Sequence, residues 1–177
     1  VYGLAARADS EAAVARIYEA KGRPSFNPLI VHVASIEQAE RLAELPAEAR
    51  ALAAQHWPGP LTLVLPRRRD AALAKAVSAS LPTVALRCPA HPVMRDIIQN
   101  VGTPLAAPSA NRSGFVSPTS AEHVLATLDG RIDAVLDAGA CSGGVESTIA
   151  AIRADGRVDV LRPGPVVLAM PLAAEEG

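Results

Sequence analysis

Apolar and polar positions along this chain follow two different spacings, which predict helices and strands in alternation. Val14, Ile17 and Tyr18 recur at helical spacing behind Asp9, so a helix capped by Asp9 is predicted to end near Lys21. Short runs of consecutive apolar residues instead predict strands, over 29–33, 61–65, 83–87, 104–107, 134–136, 147–152 and 158–162. The chain is therefore predicted to alternate between helices that pack by one face and buried strands.

Residues that cap helices or form turns set the limits of the other elements. Four further helices are predicted: from Ser35, with Gln38 completing a capping box, to about Leu45; over 47–56; from Pro92 to just before Gly102; and from Thr119, with Glu122, to Gly130. Asp155 and Gly156 predict a tight hairpin between the last two strands. This order predicts an α/β domain built on a twisted mixed β-sheet flanked by helices.

Composition narrows the class of protein without identifying its chemistry. The 177 residues suffice for one domain with a sizeable core, since 50% of them are hydrophobic. The formal charge of −1 gives no overall field that would draw the protein to nucleic acid or to a membrane. Cys88 and Cys141 have no spacing typical of zinc or of disulfides, and no apolar run reaches membrane-spanning length. We therefore expect a cytoplasmic protein with no membrane partner.

Polar groups suited to binding an anion are concentrated in one block, Ala107-Pro108-Ser109-Ala110-Asn111-Arg112-Ser113-Gly114, which runs on to Ser117-Pro118-Thr119. Hydroxyls, an amide and a guanidinium follow a predicted strand there and precede a predicted helix. This arrangement favours phosphate or carboxylate binding, because backbone N–H groups and the helix dipole both attract anions. An ordinary connection rich in turn-forming residues is the alternative interpretation.

A second block, Lys21-Gly22-Arg23-Pro24, places two cations on either side of a glycine. If this segment is extended, the side chains of Lys21 and Arg23 project to the same side and converge on one spot. Two converging cations suit a polyphosphate or a carboxylate. The alternative is a solvated basic helix end that complements the helix dipole.

These two blocks and four further motifs occur in a fixed order. They are Lys21-Gly22-Arg23-Pro24-Ser25-Phe26-Asn27-Pro28-Leu29, Trp57-Pro58-Gly59-Pro60-Leu61-Thr62, Arg87-Cys88-Pro89 with His91-Pro92, the block from Pro108 to Thr119, Ser147-Thr148, and Arg162-Pro163-Gly164. Together they resemble the threonylcarbamoyl-AMP synthase family, the YrdC-type domain. The resemblance covers 1–164 and leaves 165–177 as a tail or the start of a linker. Val1-Tyr2-Gly3-Leu4 resembles the end of the family's first motif, whose Pro-Thr-Glu-Thr half we expect to be missing.

The resemblance implies an L-threonylcarbamoyladenylate synthase, a nucleotidyltransferase. Such an enzyme converts L-threonine, bicarbonate and ATP, with Mg²⁺, into threonylcarbamoyl-AMP and pyrophosphate. A partner complex then transfers the threonylcarbamoyl group to tRNA, so tRNA is an indirect partner. The implied fold is YrdC-like, with a concave ligand-binding face on the mixed sheet.

The resemblance also assigns roles to individual residues. The implied catalytic tetrad is Lys21, Arg23, Ser109 and Asn111. The implied ATP contacts are Arg23, Asn27, Thr83, Ser109, Ser117 and Arg162. The implied threonine contacts are His32, Arg87, the backbone of Ala107, and Ser147. No protein metal site is implied, because Mg²⁺ accompanies ATP.

Other interpretations remain open at this stage. An RNA-binding module of this fold without synthase activity is one alternative, and a related carbamoyl-transfer paralogue is another. Without the family position, His32 would be interpreted as a hydrogen-bonded core histidine. The basic run 67–69 favours a solvated loop, with a phosphate-steering patch as the second interpretation. Trp57 is expected to pack against its own turn, and Cys88 to be a buried filler.

Overall fold

The computed structural model describes residues 1–168, which form one mixed sheet with helices packed against it. The α-helices of this part of the chain are α1 (Glu11–Lys21), α2 (Ile36–Glu40), α3 (Ala47–His56), α4 (Pro92–Val101) and α5 (Ala121–Leu128). The strands are β1 (Ala6–Arg7), β2 (Ile30–His32), β3 (Leu61–Pro66), β4 (Thr83–Arg87), β5 (Leu105–Ala106), β6 (Thr148–Ile152) and β7 (Val158–Arg162). A 3-10 turn covers Lys75–Ser78.

The strands lie in the order β1-β5-β2-β4-β3-β6-β7. The pairs β2–β4 and β3–β6 are parallel, and the other four neighbouring pairs are antiparallel. The prediction of an α/β fold with a mixed sheet is therefore confirmed. No helix within residues 1–168 has the length and apolar character needed to cross a membrane.

The core lies between the helices and one face of the sheet. Side chains that point to this side include Val31, Leu63 and Leu86, all fully buried. Helix α1 contributes Val14 and Ile17 to the same core, as its apolar spacing predicts. Many of the other core residues are alanines, whose small side chains allow helices and strands to approach closely.

Several boundaries match the sequence prediction residue by residue. Strand β4 covers Thr83–Arg87, and α4 begins at Pro92 and ends before Gly102, which adopts a φ of 76°. Glycine is favoured there because other residues rarely adopt left-handed backbone angles. The hairpin turn at Asp155 and Gly156 is also present, with Arg153 donating its N–H to the Arg157 carbonyl oxygen at 2.8 Å.

Other predictions of secondary structure were wrong. The segment 134–136 is not a strand; Leu136 is 61% exposed, so three apolar residues without a neighbouring strand do not form a ladder. Helix α1 is capped by Ser10 rather than Asp9, whose carboxylate pairs with Arg7 instead. Helix α5 is capped by Ser120 rather than Thr119, and α2 ends at Glu40 instead of reaching Leu45.

Part of the predicted tail packs against the domain. Thr148 donates its hydroxyl to the Val166 carbonyl oxygen at 2.8 Å, and the Val166 N–H donates to the same hydroxyl at 3.0 Å. The first residues after Gly164 therefore continue along β6. Residues 169–177 of the predicted tail lie outside the described residues.

Candidate functional site

One face of the central strands carries polar side chains. Along β4, Val84 and Leu86 are buried in the core, whereas Thr83 and Arg87 project to the opposite side and are partly exposed. His32 on β2 is the register partner of Arg87, so both side chains lie on this same side. We call this side of the sheet the site face.

The predicted ATP and threonine contacts on the site face are well separated along β4. Thr83 and Arg87 are four residues apart on one strand, which corresponds to about 13 Å at the usual rise per residue. The charge of Arg162 acts on Arg87, so this predicted ATP contact lies at the Arg87 end. The predicted ATP contacts therefore extend from one end of β4 to the other rather than forming one tight cluster.

Lys21 lies in a cage of carbonyl oxygens. It is the last residue of α1, and its ammonium donates to the carbonyl oxygens of Ser109 at 2.6 Å and Asn111 at 2.5 Å. The N–H of Ser113 donates to the Lys21 carbonyl oxygen at 2.8 Å, which ties the two predicted blocks together. An ammonium has three donors, so one remains for a ligand.

The backbone between Lys21 and Arg23 is not extended, which corrects the sequence interpretation. Gly22 caps α1 with a left-handed φ of 60°, so Lys21 and Arg23 leave the chain around a tight turn. Arg23 donates to the carbonyl oxygens of Asn27 at 3.1 Å and Pro28 at 2.7 Å. Asn27 thus meets Arg23 through its backbone.

The local environment weakens the protonated form of both cations. Burial, followed by the charge of Arg23, lowers the pKa of Lys21 to about 8, although the charge of Glu146 acts in the opposite direction. Burial also lowers the pKa of Arg23, and Glu146 again opposes this. Glu146 therefore lies close enough to act on both side chains.

The loop that carries Ser109 and Asn111 is held by its own side chains. Asn111 donates its amide to the carbonyl oxygens of Arg112 at 2.9 Å and Phe115 at 2.7 Å. Its side-chain oxygen is buried and has no hydrogen-bond partner among the described residues. Helix α5, capped by Ser120, begins at Ala121, directly after the block that ends at Thr119.

His32 is buried beside Arg87 and stays neutral. Burial, followed by the charge of Arg87, lowers the pKa of His32 to about 3. Its Nδ1 atom has no hydrogen-bond partner within residues 1–168. Burial and the charge of Arg162 lower the pKa of Arg87, whose Nε donates to the Gly59 carbonyl oxygen at 3.1 Å. This leaves the terminal nitrogens of Arg87 to meet a ligand.

A polar chain surrounds Ser147 at the start of β6. The hydroxyls of Ser147 and Thr62 lie 2.7 Å apart, and both residues are buried. Arg162 donates to the Ser147 carbonyl oxygen at 3.0 Å and to its hydroxyl at 3.2 Å. Glu146 accepts from Arg162 at 2.7 Å and from the Ser117 hydroxyl at 3.0 Å. Ser117, Ser147 and Arg162, all predicted site residues, are therefore joined.

Ala107, the remaining predicted threonine contact, follows β5. Its N–H donates to the Ile30 carbonyl oxygen at 3.1 Å, so its carbonyl oxygen is the backbone group that a ligand would meet. Sequence reasoning missed two residues of the site, Thr62 and Glu146. Thr62 is the last residue of the motif that begins at Trp57, and Glu146 directly precedes the motif Ser147-Thr148. Their positions in or next to these motifs were the available signal.

Trp57, Cys88 and Arg67 were not assigned to the site in the sequence analysis, and in the structure their contacts stabilise the fold. Trp57 donates its indole N–H to the Leu61 carbonyl oxygen at 2.8 Å and packs in the core, and burial raises the pKa of Cys88. Arg67 is not part of a solvated loop: it donates to the Leu73 carbonyl oxygen at 2.7 Å and to the Ser78 hydroxyl at 3.0 Å. Arg67 thus fixes the connection before β4.

Known proteins share both the sequence and the fold of this chain. Threonylcarbamoyl-AMP synthase of Bacillus subtilis is 53% identical over 167 residues, which are 94% of this chain and 48% of that protein. The protein of the same name from Pyrococcus abyssi is 50% identical and covers 95% of this chain and 49% of its own length. The crystal structure of P. abyssi Sua5 complexed with L-threonine superimposes with a TM-score of 0.88 at 50% identity, over 93% of this chain and 48% of that one. The chain spans about half the length of the curated relatives it matches.

The family model Sua5_yciO_yrdC, described as "Telomere recombination", matches residues 1–164. This range agrees with the one over which the motifs follow the family order. Together with the relatives above, it shows that the chain belongs to the Sua5/YciO/YrdC family, in which threonylcarbamoyl-AMP synthases are found.

Proposed function

We propose that this chain forms the substrate site of an L-threonylcarbamoyladenylate synthase. The proposed reaction joins L-threonine, bicarbonate and ATP and releases pyrophosphate. The observation that carries the proposal is the register pair of His32 and Arg87, which lies beside Arg162 and Ser147 at one end of the site face. The names of the relatives, and the threonine bound in one solved structure at 50% identity, support the same reaction.

The Arg87 end has the groups that an amino acid requires. The fork of Arg87 can bind the threonine carboxylate through two parallel hydrogen bonds. His32 stays neutral at physiological pH, so it does not repel the threonine ammonium. Ser147 and the Ala107 carbonyl oxygen complete the proposed threonine contacts.

The other cations suit the triphosphate. Lys21 has one N–H left after binding two carbonyl oxygens, and Arg23 lies one turn of backbone away. Arg162 brings a third positive charge, and the hydroxyls of Ser109 and Ser117 add neutral donors. Asn27 and Thr83 remain predicted ATP contacts towards the opposite end of β4. These cations and hydroxyl donors would neutralise the negative charge of the phosphates. No covalent bond between the protein and the nucleotide is needed for this.

The proposed reaction has two steps, and neither uses a protein nucleophile. The threonine ammonium first loses a proton to solvent, and the free amine then adds to the carbon of bicarbonate with loss of water to give a carbamate. A carbamate oxygen then forms a bond to the α-phosphorus of ATP. At the same time the bond to the bridging oxygen breaks, and its electron pair leaves with pyrophosphate. Positioning and charge stabilisation by Lys21 and Arg23 would lower the barrier to this displacement.

Magnesium fits this site as part of the nucleotide substrate. Within residues 1–168, no group of three or more His, Cys, Asp or Glu side chains could hold a metal ion. Magnesium usually keeps several waters and binds through substrate phosphates with one or two carboxylates. The phosphate oxygens would therefore provide most of its ligands, and it would neutralise charge on the leaving pyrophosphate.

Transfer to tRNA requires a further protein under this proposal. The product is a mixed anhydride whose activated carbonyl group can acylate an amine of tRNA, and a transferase complex would catalyse that step. Direct RNA binding without synthase activity is the competing function. It predicts affinity for duplex RNA that falls steeply with salt and does not depend on threonine.

The decisive experiment measures pyrophosphate release from ATP, bicarbonate and magnesium with L-threonine, L-serine, L-valine or no amino acid. The proposal predicts release that depends on threonine, and a large loss in Arg87→Met with ATP binding retained. Asp159→Asn, which breaks an ion pair at the far end of the β6–β7 hairpin, is the matched control. Release that does not depend on the amino acid, or no release from the folded protein, would overturn the proposal.

A further inference from the structure

Glu146 occupies the position in which two predicted ATP contacts meet. One carboxylate oxygen accepts a hydrogen bond from the Ser117 hydroxyl at 3.0 Å, and the other accepts one from Arg162 at 2.7 Å. A carboxylate and a phosphate present the same kind of oxygen acceptors to such donors. In this structure Glu146 therefore uses the donors that the proposed function assigns to the nucleotide.

The charge of Glu146 also reaches the other cations of the triphosphate site. It raises the pKa of Lys21 and of Arg23 relative to what burial alone would produce. Glu146 thus compensates a group of positive charges that burial makes costly to keep protonated. A bound triphosphate would supply the same compensation and would be repelled by the carboxylate.

The backbone at Glu146 is fixed, but its side chain is able to move. A Cβ atom added at Gly164 would lie 2.8 Å from the Glu146 carbonyl oxygen, so the two backbone segments are in close contact. The side chain itself is 37% exposed. Rotation of the side chain towards solvent would release Ser117 and Arg162 without disturbing β6.

We propose that Glu146 is a resident anion of the nucleotide site, holding Ser117 and Arg162 in the free protein and releasing them when the triphosphate binds. This inference rests on the proposed function, which places ATP at these residues. Glu146 is then a positioning residue that keeps the donors in place and sets the affinity for nucleotides. The effect should grow with the charge of the ligand, so that it is larger for ATP than for AMP.

The test compares the binding of a non-hydrolysable ATP analogue, AMP and inorganic tripolyphosphate by calorimetry. Glu146→Gln retains the shape but removes the charge, and we expect it to bind the ATP analogue and tripolyphosphate about 3- to 10-fold more tightly than the unmodified chain. The gain for AMP should be smaller. Glu146→Asp keeps the charge and should not show the gain. Asp159→Asn removes another carboxylate that pairs with an arginine at 2.7 Å, and it should leave all three affinities unchanged.

Repeating the comparison in the Arg162→Met variant tests whether the effect of Glu146 on nucleotide affinity depends on Arg162. With Arg162→Met, the affinity gained on Glu146→Gln should become smaller, because the competing carboxylate no longer holds that donor. Thermal melting checks that each variant is folded. Equal or weaker binding by Glu146→Gln overturns the inference, as does a gain that is the same with and without Arg162.

The experiments distinguish failure of the inference about Glu146 from failure of the proposed synthase function. Threonine-dependent pyrophosphate release together with an unchanged affinity of Glu146→Gln overturns the inference alone. Tighter tripolyphosphate binding without such release supports the resident anion and overturns the synthase. An unmodified chain that binds neither nucleotide nor tripolyphosphate overturns both.

Discussion

The Lys21 ammonium lies 2.6 Å from the carbonyl oxygen of Ser109, a residue 88 positions away in the chain. This contact holds the end of α1 against the loop that follows β5. It also determines what Lys21 can do, because two of its three N–H donors are committed to carbonyl oxygens and the third is left for a ligand. The Lys21 side chain thus both links α1 to this loop and keeps a donor for a ligand.

The lowered pKa of Lys21 predicts that nucleotide affinity depends on pH. Lys21 has a pKa of about 8, so it is charged at pH 7 and largely neutral at pH 9. Affinity for a non-hydrolysable ATP analogue should therefore fall as pH rises through about 8. The fall would be up to about 10-fold, as expected for one charge-assisted hydrogen bond. Calorimetric titrations from pH 7 to pH 9 measure this.

Lys21→Met provides the comparison for that pH series. It should bind the analogue weakly at every pH and show a flat profile across the same range. A profile of the unmodified chain that stays flat, or one that persists in Lys21→Met, would assign the titration to another group. Lys75→Met, which removes an ammonium in the 3-10 turn, should keep the normal profile.

The fold was predictable where local chemistry determines it. Strand β4, the limits of α4 and the turn at Gly156 follow from apolar runs and from proline or glycine at fixed positions. The segment 134–136 shows the limit of this reasoning. An apolar run becomes a strand only if a neighbouring strand accepts its hydrogen bonds, and sequence spacing does not reveal that neighbour. The two-residue strand β1 carries too short a pattern to be recognised.

The residue types of the candidate site were predictable from the sequence, but the hydrogen bonds and ion pairs between those residues were not. Lys21, Arg23, Arg87 and Arg162 were identified from motifs. The role of Glu146 was not, because it arises from contacts with Ser117 and Arg162, which lie 29 and 16 residues away. The expected extended geometry at Lys21 failed because Gly22 turns the chain. Long-range partners of a polar side chain require the tertiary structure.

Burial of a neutral His32 predicts that the protein loses stability in acid. Its pKa is about 3 in the folded state and about 6.5 in an unfolded chain, so between these values the unfolded state binds the additional proton. The contribution of this group to stability is therefore complete above pH 6.5 and declines as pH falls towards 3. The slope for one such group is about 1.4 kcal/mol per pH unit. Denaturant unfolding at a series of pH values measures it.

Two histidine variants separate His32 from the other acid-sensitive groups. His32→Gln should remove that part of the pH dependence, whatever its effect on stability at pH 7. His56→Gln, at the end of α3, should retain the slope of the unmodified chain. Identical slopes in all three proteins would show that His32 is not the group responsible.

The Thr62 hydroxyl is predicted to hold Ser147 in place for threonine. Thr62→Val preserves the shape and removes the 2.7 Å hydrogen bond between the two hydroxyls. Because Ser147 keeps its contact with Arg162, we expect threonine affinity to fall about 3- to 10-fold and stability to fall by about 1 kcal/mol. ATP affinity should change little. Thr103→Val is the matched control, since the buried Thr103 hydroxyl has no partner within the described residues. A parallel loss of ATP and threonine affinity would contradict a role specific to Ser147.

Close packing at Gly164 predicts that even a methyl group there disturbs the site. A Cβ atom would lie 2.5 Å from the Thr148 nitrogen and 2.8 Å from the Glu146 carbonyl oxygen, and backbone atoms cannot move aside as flexible side chains do. Gly164→Ala should therefore displace the start of β6, with a loss of about 1 to 3 kcal/mol in stability and weaker threonine binding. Gly143→Ala in the preceding loop meets no atom within 4 Å and should leave both quantities unchanged. Denaturant unfolding and threonine calorimetry on the two variants make the comparison. If Gly164→Ala is as stable as the unmodified chain, the contact between the segment after β7 and the start of β6 is looser than the structure requires.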